Sequence, residues 1–462
     1  MKDYNNSDRT NALGGGVIQI ALLLLFVLLL APMAAAQDND NPTVAFLRYG
    51  PYIPDPIVEN GLLDTLQVYE WINAEERSLL NARQNFEGEK INITWASANF
   101  DLPTVNIMVE DALDRGADIL ITAGAPVTQI AINITEDQEE PTPVLFHSVY
   151  HPTQFGISDA PCVKPAHVTG SEYTPPYEEA FEVFLLQNPA LKRVGTMHTS
   201  TDAGGNYGAG RISAIAEAQG IEVESAAISG LSDLRAAVQG LVNKDVEAIM
   251  LPVDFTIGSG LPIVVSVAKE NQIPVFYPIP GTVLTGVTIG VGFNEYYEQG
   301  VHAGLLLDAR LKDGLDFAST AVLSQTGGTV GINLDVAAEM GIDFPQELQD
   351  MADITLRNGA VLLSEQAITQ LLDSLGANEE FKQMTLGMLR ALGDSFDWAP
   401  LMMPDLDAEA SPMAAQMMAQ LSMVLEMRKS PEHRAADAAV LASLQCTDDM
   451  IAEQQAALDA AE

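Results

Sequence analysis

Residues 102–131, LPTVNIMVEDALDRGADILITAGAPVTQIA, lie over residues 231–260, LSDLRAAVQGLVNKDVEAIMLPVDFTIGSG, without a gap. Both stretches read alike. A capping residue (Thr104, Asp233) precedes an amphipathic helix whose buried side carries Leu113 or Val242. A short apolar strand follows (Ile119–Ile121, Ala248–Met250), and then small residues open a second helix. Upstream, TVAFLRYG (43–50) matches RVGTMHTS (193–200); downstream, TPVLFHS (142–148) matches IPVFYPI (273–279). Strands that alternate with helices build parallel sheets covered on both faces. The chain therefore carries one α/β unit twice. The expected fold is α/β: two similar Rossmann-like lobes, each a parallel sheet flanked by helices.

Open parallel sheets take ligands beyond the carboxyl ends of their strands, so those ends are where binding chemistry is expected. In the first copy the strand runs into Thr122-Ala123-Gly124-Ala125-Pro126. Small residues allow close backbone approach, and the proline fits the first helical turn. Exposed N–H donors and the positive helix end suit a carboxylate or phosphate, or simply pack strand against helix. No Walker or dinucleotide-binding glycine pattern accompanies them. The second copy reads Pro252-Val253-Asp254-Phe255-Thr256, with Asp254 opposite Ala125. Asp254 either caps the following helix or holds a ligand ammonium group; paired with the anion-type loop, it points to a zwitterion. Aromatic residues stand at further strand ends: Tyr49, Tyr52, Tyr150, Phe255 and Tyr277. They suggest a pocket that stacks an apolar or ring-bearing side chain. Gly124, Thr128, Ser148, His198, Thr199 and Thr256 are placed on the same rim as ligand contacts. Arg48 either adds a charge there or lies on the surface.

The chain has 462 residues, 63 acids against 22 lysines and arginines, and a formal charge of −41. So acidic a protein repels nucleic acid. Residues 1–36 have a basic start, an apolar stretch and then Ala34-Ala35-Ala36, the order of a secretory signal cleaved after Ala36. An uncleaved anchor is the alternative, and the working chain is expected outside the cytoplasm. Cys162 and Cys446 are the only cysteines, leaving a disulfide and two free thiols equally open. The six histidines are scattered; His147 and His151 are four apart but lack a third ligand nearby. Neither an enzymatic centre nor a cofactor is expected.

From about residue 43 to 355 the sequence resembles the ABC transporter substrate-binding family that includes tryptophan- and tyrosine-binding proteins, of type I periplasmic binding fold. The carriers are KRVGTMHTSTDAGG (192–205), residues 231–260, IPVFYPIPGTVLTGVTIGVGFNEYYEQGVHAG (273–304) and GINLDVAAEMGIDFP (331–345). The family usually shows Thr-Asp-Asn where this chain has Val253-Asp254-Phe255, and Val-Thr-Asp-Pro where it has Val149-Tyr150-His151-Pro152. The resemblance implies three crossings between lobes, joined as a three-stranded hinge, near 150–170, 291–294 and 316–322. Lobe 1 is then 43–150 with 292–316, and lobe 2 is 151–291 with 317–350. It also implies capture of an amino-acid-like ligand by hinge closure and delivery by a monomer to an ABC permease. A ligand-sensing ectodomain is the other reading. A sugar-type repressor would need a DNA-binding helix pair where the export signal stands. Beyond 355 an α-helical C-terminal extension is expected, with nine of the 17 methionines between 384 and 427. That region reads as flexible packing or a partner face.

Overall fold

The computed structural model describes residues 41–52, 54–392, 397–398 and 425–460. The signal-like segment 1–36 and residues 399–424 of the methionine-rich stretch 384–427 lie outside the described residues. From Pro42 onward the chain forms one compact unit.

The first sheet holds β1 (Thr43–Arg48), β2 (Phe86–Glu87), β3 (Asn92–Ser97), β4 (Ile119–Ala123), β5 (Val144–Tyr150) and β6 (Val168–Tyr173). The second holds β7 (Arg193–Thr199), β8 (Glu222–Ile228), β9 (Ala248–Met250), β10 (Val275–Tyr277) and β11 (Ile289–Gly292). The chain then adds β12 (Leu323–Gln325) to the first sheet and β13 (Thr329–Asn333), β14 (Ile354–Arg357) and β15 (Ala360–Leu363) to the second. The orders are β12-β6-β5-β4-β1-β3-β2 and β15-β14-β13-β11-β10-β9-β7-β8. Within them, β6-β5-β4-β1-β3 and β11-β10-β9-β7-β8 are the same arrangement, so the sequence repeat is a repeat of topology. These five-strand cores are parallel throughout. Their central strands are apolar on both faces, as double burial requires: β4 and β9 are buried at every residue.

The helices around the first sheet are α1 (Asp55–Val68), α2 (Ala74–Leu79), α3 (Leu102–Asp114) and α4 (Ala125–Glu136). Around the second lie α5 (Tyr177–Gln187), α6 (Ala203–Ala218), α7 (Leu234–Val242), α8 (Phe255–Ser259) and α9 (Leu261–Glu270). Next, α10 (Tyr296–Asp313) returns to α1, and α11 (Leu334–Met340) and α12 (Gln346–Asp350) complete the second lobe. Asp101, not Thr104, caps α3; it accepts from Thr104 N–H at 3.0 Å. Asp233 turns away from its own helix and accepts from Ser229 N–H at 2.9 Å.

The sheets shift the lobe boundaries later than the sequence placed them. Because β6 and β12 pair in the first sheet, the chain crosses at 174–176, 293–295 and 326–328 rather than at 150–170 and 316–322. The three crossings touch: Phe293 N–H donates to the Tyr173 hydroxyl at 2.9 Å, and Gln299 bonds Gln325 at 3.0 Å. The second sheet also outlasts residue 350. β14 and β15 form a hairpin turned by Asn358 and Gly359, both at positive φ, as a two-residue hairpin turn requires.

Among the described residues, further helices are α13 (Glu365–Leu375), α14 (Glu379–Leu392), α15 (Pro431–Ser443) and α16 (Asp448–Asp459). α13 and α14 bury Ile368, Leu372 and Phe381 against the β14–β15 hairpin and Val283 of the second lobe. α15 lies on the first lobe: Arg434 covers the Tyr69 ring at 3.7 Å, and the Tyr69 hydroxyl donates to Asp437 at 2.8 Å. Cys162 and Cys446 are joined by a disulfide, which fixes the chain beyond α15 to the loop after β5. The extension thus rests on both lobes.

Candidate functional site

The two sheets turn the carboxyl ends of their strands toward each other, and the aromatic residues there meet. Phe255, the first residue of α8, sits 5.7 Å from Tyr49, 5.1 Å from Tyr52 and 6.4 Å from Tyr150, ring centre to ring centre. Tyr49, Tyr52 and Tyr150 belong to the first lobe. The cluster runs on through Tyr150–Tyr173 (5.6 Å), Tyr173–Phe293 (5.1 Å) and Phe293–Tyr296 (5.1 Å) along the crossings. Tyr277, at the end of β10, is 1% exposed in the same core.

Local backbone explains how these side chains reach one another. β5 carries a register shift between Phe146 and Val149, with Ser148 in the left-handed region at φ 53°. The bulge swings Tyr150 into the cluster. Gly124 ends β4 at φ 97°, and a Cβ there would lie 3.0 Å from the Phe255 ring. Only glycine fits that approach, so the start of α4 faces Phe255 across the interlobe gap. The first N–H groups of α4 have no intrahelical acceptor.

Asp254 takes the capping role. Its carboxylate accepts from Thr199 N–H (2.7 Å), the Thr199 hydroxyl (2.8 Å) and Ile257 N–H (3.0 Å), all second-lobe donors, and the residue is fully buried. Of the two readings of Asp254, this arrangement is the capping one. What Asp254 does is fix the start of α8, and with it Phe255. Asp202 nearby caps α6; burial and the Asp254 charge push its carboxyl up to about 7.

Among the other expected contacts, Thr128 turns its hydroxyl to the Gly124 carbonyl (2.9 Å) and Thr122 (2.8 Å) inside the first lobe. The Ser148 hydroxyl meets His147 Nδ1 at 3.0 Å, and Ala125 is buried beneath the loop. Thr256 and His198 are half-buried, with His198 Nδ1 unpartnered. Arg48 is bound to the buried Glu59, which Arg83 also grips, and both arginines lie over Trp95. It is not free for a ligand. The structure thus gathers Tyr49, Gly124, Tyr150, Phe255 and Tyr277, and commits Thr128, Thr199 and Asp254 internally.

Four participants escaped the sequence reading: Asp55, Tyr173, Phe293 and Tyr296. Asp55 opens α1 three residues after Tyr52 in YIPDP, and Tyr296 opens α10 in NEYYEQG, so each had a helix-start signal but no signal of direction. Among the described residues, no group of three or more His, Cys, Asp or Glu converges on a metal position, and no helix is long and apolar enough to cross a membrane.

A family model for ABC transporter substrate binding proteins matches residues 79–355. A tyrosine-binding protein of Clostridioides difficile (strain R20291) is 26% identical over 220 residues, 48% of this chain and 62% of that protein. The chain thus spans less than two thirds of that relative. An ABC domain from Streptococcus pneumoniae, solved in complex with L-Trp, has a TM-score of 0.60 at 22% identity, covering 69% of this chain and 100% of that one. A conserved domain protein from Vibrio cholerae gives 0.60 at 20% identity with the same coverage. Both share the two-lobed fold.

Proposed function

The chain belongs to the ABC transporter substrate-binding family, and from that premise we propose that it captures a small amino-acid-like solute between its lobes outside the cytoplasm. The lobes turn about the crossings at 174–176, 293–295 and 326–328, close over the solute, and the closed form is recognised by a membrane permease. No bond is made or broken, and one chain suffices.

One observation supports this reading above the rest. Aromatic side chains from the strand ends of both sheets form a single interlobe cluster, and four of its tyrosine hydroxyls, on Tyr52, Tyr150, Tyr277 and Tyr296, are buried together against one another. Rings from two lobes supply a stacking surface, and the clustered hydroxyls, each with a donor and two acceptor lone pairs, supply hydrogen-bonding capacity for a polar solute. Parting of the lobes lifts Phe255 from Gly124 and uncovers the first turn of α4, where a solute carboxylate would sit. Phe255 and Tyr49 would flank its side chain.

Thermal denaturation against the twenty amino acids tests the reading. A solute at one hundred times its Kd adds about 2.7 kcal/mol to the folded state, enough to raise the melting temperature measurably. One chemical group of amino acids should do so. Flat curves for all twenty count against the proposal.

A further inference from the structure

Five polar atoms come together in the interlobe cluster without a well-formed hydrogen bond: the hydroxyls of Tyr52, Tyr150, Tyr277 and Tyr296, which lie against one another, and Oδ1 of Asp55, whose carboxyl lies against Ser148. The residues are 5%, 4%, 1%, 4% and 2% exposed. Each hydroxyl keeps a donor and two acceptor lone pairs and a carboxylate has about four acceptor sites, so Ser148 and the neighbouring phenols leave the Asp55 carboxylate capacity for a further donor. Asp55 comes here because α1 and α10 pack unusually close. A Cβ on Gly300 would run into the Val58 carbonyl, and one on Gly61 into that of Tyr297. The two helices therefore start side by side, bringing Asp55 next to Tyr296. The Asp55 charge also reaches the Tyr150 and Tyr296 hydroxyls and raises the pKa of both.

We propose that Asp55 is the counter-ion for the ammonium group of the solute, with the hydroxyls of Tyr52, Tyr150 and Tyr296 completing its hydrogen-bond shell. This rests on the solute-binding reading above. An ionised carboxylate only accepts hydrogen bonds, and a primary ammonium only donates three, so the two are complementary. An anion is disfavoured at this spot, because the neighbouring cation Arg48 is already bound to Glu59. Aromatic faces around the point add attraction for a cation. Asp55 thereby supplies a carboxylate at the interlobe cluster, while Asp254 holds Thr199 and Ile257 within the second lobe.

The groups facing Asp55 set its response to pH. Burial and the Glu59 charge push its carboxyl up to about 7, opposed by Ser148 and Arg48. His147, held at about 3 by burial and Arg48, stays neutral; Tyr150 and Tyr296 are neutral phenols. Asp55 therefore holds its proton up to neutrality, and an arriving ammonium expels it. Affinity rises with pH by about tenfold per unit below pH 7 and levels off above it.

The test is calorimetry on the full chain at about pH 5.5 and about pH 8, with the twenty L-amino acids as probes. The binder is then compared with its decarboxylated amine and its desamino acid. The expected result is at least tenfold weaker binding at the lower pH for amine-bearing probes. Asp55→Asn should bind them at least tenfold more weakly at the higher pH and without the pH slope. Tyr296→Phe should weaken them severalfold with the slope kept, and it carries the test with the wild-type profile if the first variant does not fold. The desamino acid should bind weakly, and equally, to all three. Wild-type affinity and slope in Asp55→Asn would place the amine elsewhere while leaving solute capture intact. Failure of every amino acid to bind wild type would remove capture of amino acids and this assignment together.

Discussion

Truncating Phe255 to alanine tests the proposed lobe closure apart from folding. In the closed arrangement the ring touches Tyr49, Tyr52 and Tyr150, all from the opposite lobe, and the residue is 6% exposed. Edge-on ring pairs contribute about 0.5–1.5 kcal/mol each beyond area. Three of them, allowing for overlap, amount to roughly 2–4 kcal/mol that exists only while the lobes are shut. At 1.4 kcal/mol per factor of ten, the open form should gain about 30- to 1,000-fold over the closed one. Phe276, fully buried within the second lobe, is the control. Its truncation removes core that both forms share and should cost about 3–5 kcal/mol of unfolding free energy. Small-angle scattering and urea unfolding read the two effects. Phe255→Ala should enlarge the radius of gyration, bind its solute more weakly, and lose less unfolding free energy than Phe276→Ala. An unchanged scattering curve with a stability loss equal to the control's would refute the reasoning, because Phe255 would then be ordinary core.

Asp55→Asn should stabilise the solute-free protein in a pH-dependent way. The folded carboxyl is raised from 3.8 to about 7, so the stability it contributes is complete below about pH 4 and is lost as pH climbs through 7. The variant's advantage therefore grows over that window, toward a ceiling of about 4 kcal/mol and roughly half that after relaxation; melting curves at both ends check it. Gly300→Ala should destabilise by about 1–3 kcal/mol or more, because its new methyl meets the Val58 backbone; a neutral result in urea unfolding would mean α1 and α10 are not so close. Replacing Cys162 and Cys446 by serine removes a link across 284 residues and should cost about 2–5 kcal/mol, with earlier proteolysis beyond residue 425. Equal urea midpoints with and without the link would contradict that packing.

The repeat made much of this fold legible. Residues 102–131 and 231–260 share helix period, apolar strand and small-residue turn, and those signals are local. The crossings were harder. β6 (VTGSEY) and β12 (LSQ) are short and half polar, so nothing in them says which sheet they join. Asn358-Gly359 was a readable hairpin signal that the end of the family resemblance obscured. At the site, strand-end aromatics could be named because position along a strand follows from sequence. Direction could not: Asp254 as cap and Asp254 as ligand contact have the same sequence signature. Asp55 looked like any acid at a helix start until the glycine-lined approach of α10 set it beside Tyr296.

The most direct test of the account is the distance between lobes, followed by fluorescence transfer between labels on Ile107→Cys in α3 and Leu231→Cys before α7, both exposed positions. Addition of the amino acid that raises the melting temperature should move the molecules into a single closed population. A distribution that stays the same at saturating solute would contradict capture by closure of the two lobes.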